Sequence, residues 1–153
     1  MSALSAGEQI VQAMVNALNA PSPKPCTTYR SRVDAFNQPE LPAMVLYASK
    51  ETAEVLSHRT AVSGGRMRRK RKVRLEAVVA GNPPADQALD PLYVFAVQTL
   101  QADAALQALV RQLYDSDLEW ETEASTQDTA LALVEFEAVY ITPVDDPTVL
   151  ITG

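Results

Sequence analysis

Cysteine and histidine are almost absent from this 153-residue chain, which holds one of each, Cys26 and His58. A single cysteine excludes an intrachain disulfide framework and a cysteine-rich metal site, and it points to a reducing or redox-indifferent compartment. A single histidine removes most catalytic triads and His-rich metal sites, because both need partners that are scarce here. No apolar run approaches the roughly 18 residues of a membrane span, and the N-terminus lacks the basic-then-apolar layout of a signal peptide. A soluble protein with no membrane partner, not exported by that route, is expected. Gly64-Gly65 lacks the spacing of a phosphate loop, no Walker or dinucleotide fingerprint occurs, and no serine sits in a nucleophile elbow. His58 beside Arg59 reads as a surface histidine, and Cys26 between Pro25 and Thr27 as a structural or incidental thiol. The expectation is a chain without catalytic residues, cofactor or metal.

What is present is enough apolar residue, 47% of the chain, to build one sizeable core, so residues 1–153 are expected to form a single domain. The net charge of −6 hides a division. Residues 1–74 hold twelve of the thirteen bases and five acids, whereas residues 75–153 hold Arg111 and fourteen acids. Opposed charge of this kind suits a protein that meets its neighbours through complementary faces.

The pattern along the chain gives the elements. Ser5 with Glu8 forms a capping box, and Ile10, Val11, Met14, Val15 and Leu18 recur at helical spacing until Pro21, Pro23 and Pro25 end the helix. Three short strands are predicted next, over Thr27 to Val33, Ala43 to Tyr47 and Thr52 to Ser57. Gly64-Gly65 then turns the chain into a strand from about Arg68 to Val79. There Arg71, Val73, Leu75, Ala77 and Val79 share one face, and Lys70, Lys72, Arg74 and Glu76 share the other. The result is a long hairpin with a basic tip. Gly81 to Pro84 stops it, and Leu89, Leu92, Tyr93, Ala96, Val97 and Leu100 line the main core helix. Asp103 caps a short helix through Leu106, Leu109 and Val110. Two strands, about Leu113 to Glu123 and Thr129 to Thr142, close the domain around a turn at Ala124 to Asp128, and residues 143–153 form an irregular tail. This order describes an α+β domain, an antiparallel-rich sheet with helices packed on one face. The expected core includes Val11, Leu18, Val45, Val73, Leu75, Leu92, Val97, Leu100, Trp120, Phe136 and Tyr140.

Two constellations stand out. Asp115, Asp117, Glu119, Glu121 and Glu123 alternate with Leu118 and Trp120, which places five carboxylates on one strand face. With Trp120 opposite Phe136, Glu135 and Glu137 would join them in a seven-acid surface. That surface could be a solvated sheet face, an acidic contact or pore lining, or a metal or carboxylate-catalysis site. The second constellation is the basic cluster of Arg66, Arg68, Arg69, Lys70, Arg71, Lys72 and Arg74. It could meet DNA, another protein surface or only solvent. No aromatic residue interleaves with the bases to stack on nucleotides, and the acidic remainder of the domain opposes a polyanion.

The initial helix, Leu41-Pro42-Ala43-Met44-Val45-Leu46, a polar hairpin, the core helix, Ala102-Asp103-Ala104-Ala105-Leu106 and the closing Phe136-Glu137-Ala138-Val139-Tyr140-Ile141-Thr142-Pro143 follow one another in an order and spacing that resembles tail terminator (tail completion) proteins of long-tailed bacteriophages. The similarity extends over nearly the whole chain. It implies a virion protein, assembled in the host cytoplasm, that forms a homohexameric ring on the head-proximal end of the tail tube. Such a ring stops tube growth and offers a docking surface to the head connector or neck protein, with DNA passing only as the genome. The family supplies no catalytic residues. A neck or head-tail connector ring subunit, of similar size, is the alternative.

Overall fold

The structure, a computed structural model, describes residues 3–31, 40–80, 85–121 and 129–152. The expected stop at Gly81 to Pro84, the turn at Ala124 to Asp128, the end of the first predicted strand at residues 32 and 33, and Glu123 lie outside the described residues.

The first helix, α1 (Ala6–Asn19), starts where the capping pattern places it, with the Ser5 hydroxyl accepting from the Glu8 amide at 3.1 Å. The Glu8 carboxylate goes elsewhere. It takes the Arg30 guanidinium in a two-pronged pair, at 2.7 and 3.3 Å, and so ties α1 to the first strand. Asn19 makes a second tie beyond the proline link. Its amide nitrogen donates to the Thr28 carbonyl and its amide oxygen accepts from the Thr28 N–H, both at 2.9 Å.

The strands are β1 (Thr27–Arg30), β2 (Ala43–Ser57), β3 (Arg66–Ala80), β4 (Gln112–Glu121) and β5 (Thr129–Pro143), and they form one sheet in the order β1-β2-β3-β5-β4. Among the described residues, only β1 against β2 is parallel. Two helices, α2 (Ala85–Ala102) and α3 (Ala104–Leu109), lie between β3 and β4 in the chain, and Asp103 caps α3 by accepting from the Leu106 amide at 2.8 Å. The fold is thus α+β, with five strands, mostly antiparallel, and three helices among the described residues.

The two short strands expected at Ala43 to Tyr47 and Thr52 to Ser57 are halves of one fifteen-residue strand, joined through an irregularity between Ala48 and Lys50. An extra residue in one strand is accommodated as a bulge and does not require a loop. The β2–β3 hairpin turns through Gly65, at φ +75°, where an added Cβ would sit 2.7 Å from the Ser57 carbonyl oxygen. Glycine is required there by both backbone sign and space.

The helices cover one face of the sheet. Ile10, Met14 and Leu18 of α1, Leu89, Ala96 and Leu100 of α2, and Leu106 of α3 enclose a single apolar cluster with Leu46, Val73, Leu75, Val134 and Phe136. Along β5 every second residue from Ala130 to Thr142 is buried, the period of a half-covered strand. The predicted core holds for Val11, Leu18, Val45, Val73, Leu75, Leu92, Leu100, Phe136 and Tyr140, and Val97 is partly buried against it. Trp120 is the correction: at 38% exposed it belongs to the sheet margin and not to the core. The tail after Pro143 is irregular but docked. The Ala6 amide donates to the Pro147 carbonyl at 2.7 Å and the Ile151 amide to the Ile141 carbonyl at 2.9 Å.

Candidate interaction surface

Residues of the basic cluster divide between the two faces of β3, as strand alternation requires. Arg69 and Arg71 point to the helix side, where the Glu51 carboxylate lies 3.5 Å from Arg69 and 3.0 Å from Arg71. Arg69 also donates to the Thr142 hydroxyl at 2.9 Å, and the Tyr140 hydroxyl donates to Glu51. Gly7 of α1 seats directly on this group, since an added Cβ would collide with the Arg71 guanidinium and stand 2.6 Å from the Tyr140 oxygen. Burial, and then the bond to Glu51, push the Tyr140 phenol well above its ordinary pKa, with the adjacent arginines opposing. The two arginine side chains are only 15% and 17% exposed, so they form a structural joint more than a free surface.

Arg66, Arg68, Lys70, Lys72 and Arg74 lie on the opposite face. Lys72 meets Glu135 at 3.6 Å, Lys70 meets Glu137 at 4.0 Å, and Arg68 meets Glu54 at 3.8 Å. These are partly exposed pairs worth about 0 to 1 kcal/mol each, so they orient side chains more than they hold the fold. Arg66 and Arg74 remain exposed and form none of the salt bridges found among the described residues. Part of the charge division in the sequence is therefore satisfied within one chain, across the β3–β5 ladder.

The acidic constellation differs from the expected one in register and in membership. Trp120 pairs with Ala132, not Phe136, and Phe136 stands opposite Asp115. An irregularity between Asp115 and Asp117 shifts the alternation, so Asp115 turns to the helix side and accepts from the Tyr93 hydroxyl at 2.5 Å. That bond, ahead of burial, raises the Tyr93 pKa. Asp117, Glu119 and Glu121 do share the face away from the helices with Glu135 and Glu137, and Asp117 stands directly opposite Glu135. Glu123 lies outside the described residues. Burial followed by the nearby Glu121 charge raises the carboxyl of Glu76 on this same face.

Arg74 lines a shallow depression together with Asp117, Glu119, Leu133, Val134 and Glu135. Among the described residues, no group of three or more His, Cys, Asp or Glu is arranged to hold a metal ion. His58 is exposed at the loop between β2 and β3, and the buried Cys26 thiol is pushed by desolvation from 9.0 to about 11. A thiol that resists ionisation is a poor nucleophile.

Sequence reasoning missed Glu51, Tyr140 and Gly7 as a group. A signal for both strand irregularities was present, because the apolar residues change parity within each strand. They run from Met44 and Leu46 to Ala53 and Val55 in β2, and from Leu113 to Leu118 and Trp120 in β4. Such a change marks a bulge. Among the described residues, no helix is long and apolar enough to cross a membrane. No protein-family model matches the chain, and no curated protein matches it.

Proposed function

We propose that this subunit caps the head-proximal end of a bacteriophage tail tube, ends tube polymerisation and supplies the surface on which the head docks. It acts as a homo-oligomeric ring, hexameric as the tail terminator resemblance implies, through shape and charge and without bond chemistry. The observation that carries the reading is one sheet with a cation-rich hairpin near one lateral margin and carboxylates along the other, and the resemblance of the sequence to tail terminators is what supports placing it on a tube end. On the face turned away from the helices the bases of β3 meet Glu135 and Glu137, and the carboxylates left at the β4 margin, Asp117, Glu119 and Glu121, suit the edge of a channel, where negative charge repels DNA phosphates and keeps the passing genome from sticking.

The test is polymerisation of the tail-tube protein with and without this subunit. With it, tubes stop at defined lengths and join heads; without it, they run on. Arg66→Glu with Arg68→Glu weakens capping in a salt-dependent way, since both side chains are at the surface. Arg69 and Arg71 are poor choices for this purpose because their reversal would break the Glu51 joint. Tight binding to purified head portals by a subunit that ignores tube ends would replace the terminator reading with the connector one.

A further inference from the structure

Resting on the reading of this chain as a ring-forming subunit, we propose that successive copies join margin to margin, the open stretch of β2 in one copy against the acidic β4 margin of the next. From Lys50 to Ser57 every β2 residue is exposed, and among the described residues no strand lies outside it, because β1 covers only Ala43 to Leu46. At the other margin β4 is likewise the last strand of the sheet. Open edges carry unpaired N–H and C=O groups that can accept another strand. Large exposed apolar side chains mark both margins. Val55 and Leu56 are 46% and 49% exposed near the hairpin loop, and Trp120 is 38% exposed on β4.

The strand directions agree with this joint. β4 opposes β5, β5 opposes β3, and β3 opposes β2, so a continued sheet sets β2 of the next copy antiparallel to β4. Each margin offers a regular run, Lys50 to Val55 between the two irregularities of β2 and Asp117 to Glu121 beyond that of β4. Side-chain parity agrees as well. Trp120 projects to the helix side, as do Ala53 and Val55, while Glu119 and Glu121 share the far side with Lys50, Thr52 and Glu54 and with the second-row cations Arg66, Arg68 and Lys70, which outnumber that one carboxylate.

Charge selects this pairing over its rivals. Two β2 margins brought together would set one basic hairpin against another, and two β4 margins would set carboxylate against carboxylate. Only the unlike pairing brings opposite signs together, and an interface between two different patches of one chain repeats head to tail until it closes. The two runs also sit at diagonally opposite corners of the sheet, beside Lys72 to Met67 and beside Glu135 to Leu131. Joining them tilts the strands against the ring axis, as closed sheets require.

The experiment cross-links cysteines placed at the two margins. Thr52→Cys and Glu119→Cys are made singly and together in the full chain, and each is treated with a short bismaleimide; Cys26 is buried, and the unsubstituted chain serves as its control. Thermal melting matched to the unsubstituted chain establishes that each variant is folded. The double variant is expected to give a covalent ladder up to the ring, the singles none. In about 1 M salt, where the screening length is near 3 Å, the ladder should fall several-fold. Cross-linking by either single variant would mean like-to-like contact and overturn the proposal. Rings detected by native mass spectrometry with no ladder in the double variant would overturn the margin joint while leaving the ring reading intact. A double variant that stays monomeric up to millimolar concentration would overturn the joint too, and the ring reading would then be judged by tube capping.

Discussion

Thr28 shows how much one atom can matter in this fold. Its backbone is clamped by Asn19, yet its side-chain hydroxyl is buried with no hydrogen-bond partner among the described residues. A buried polar group without a partner costs about 1 to 3 kcal/mol, so Thr28→Val, which keeps the shape and the clamp, should raise the urea midpoint by the equivalent of about 1 kcal/mol. An unchanged or lower midpoint would mean that the hydroxyl is satisfied. Leu92→Ala and Phe136→Ala empty fully enclosed positions and should each lose about 2 to 5 kcal/mol. Trp120→Ala, at the exposed margin, should lose clearly less than either in the same melts. Cys26 predicts a pH dependence. Its thiol titrates near 9.0 when unfolded and near 11 when folded, so the unfolded chain loses its proton first as pH rises. The stability held by the neutral thiol is complete below about pH 9 and is lost as pH climbs through 11, and Cys26→Ala should flatten that part of the stability profile.

Among the elements, the two long strands β2 and β4 depart furthest from a simple reading, and for one reason. A strand has a side-chain period of two, so one extra residue reverses every later side chain. The irregularity at Ser49 turns Glu51 toward the helices, and the one at Ser116 separates Asp115 from the carboxylates that follow it. The uninterrupted period of β3 and β5, and the caps of α1 and α3, are legible residue by residue. The Glu51 joint was not, because it depends on the bulge, on a cross-sheet register and on an α1 residue without a side chain. Glu51→Ala leaves Arg69 and Arg71 largely covered without their shared carboxylate, and a loss of roughly 2 to 3 kcal/mol should follow, below the 3 to 5 of fully buried pairs. Gly7→Ala should also destabilise, because the new methyl displaces the Arg71 guanidinium or the Tyr140 ring. Tolerance of both substitutions in thermal melts would mean that α1 does not rest on this joint.

At the scale of the whole molecule, opposite charges that occupy different halves of the sequence meet across the β3–β5 ladder, and, apart from Arg74 beside the β4 carboxylates, what is left over divides between two margins of one sheet. Lys70 and Lys72 are answered by Glu137 and Glu135, while Arg66 on the hairpin side and Glu119 and Glu121 on β4 remain at the surface. In the joint proposed above, one chain would carry both halves of a repeating contact, which is the property a ring on the end of a tube needs. Electron microscopy of assembled particles that contain this chain in tagged form decides between the tube end and the head. A single ring of density is expected at the tube end beneath the head, lost together with defined tail length when the protein is omitted. Density confined to the head portal, or particles whose tails keep their normal length without the protein, would contradict the proposal.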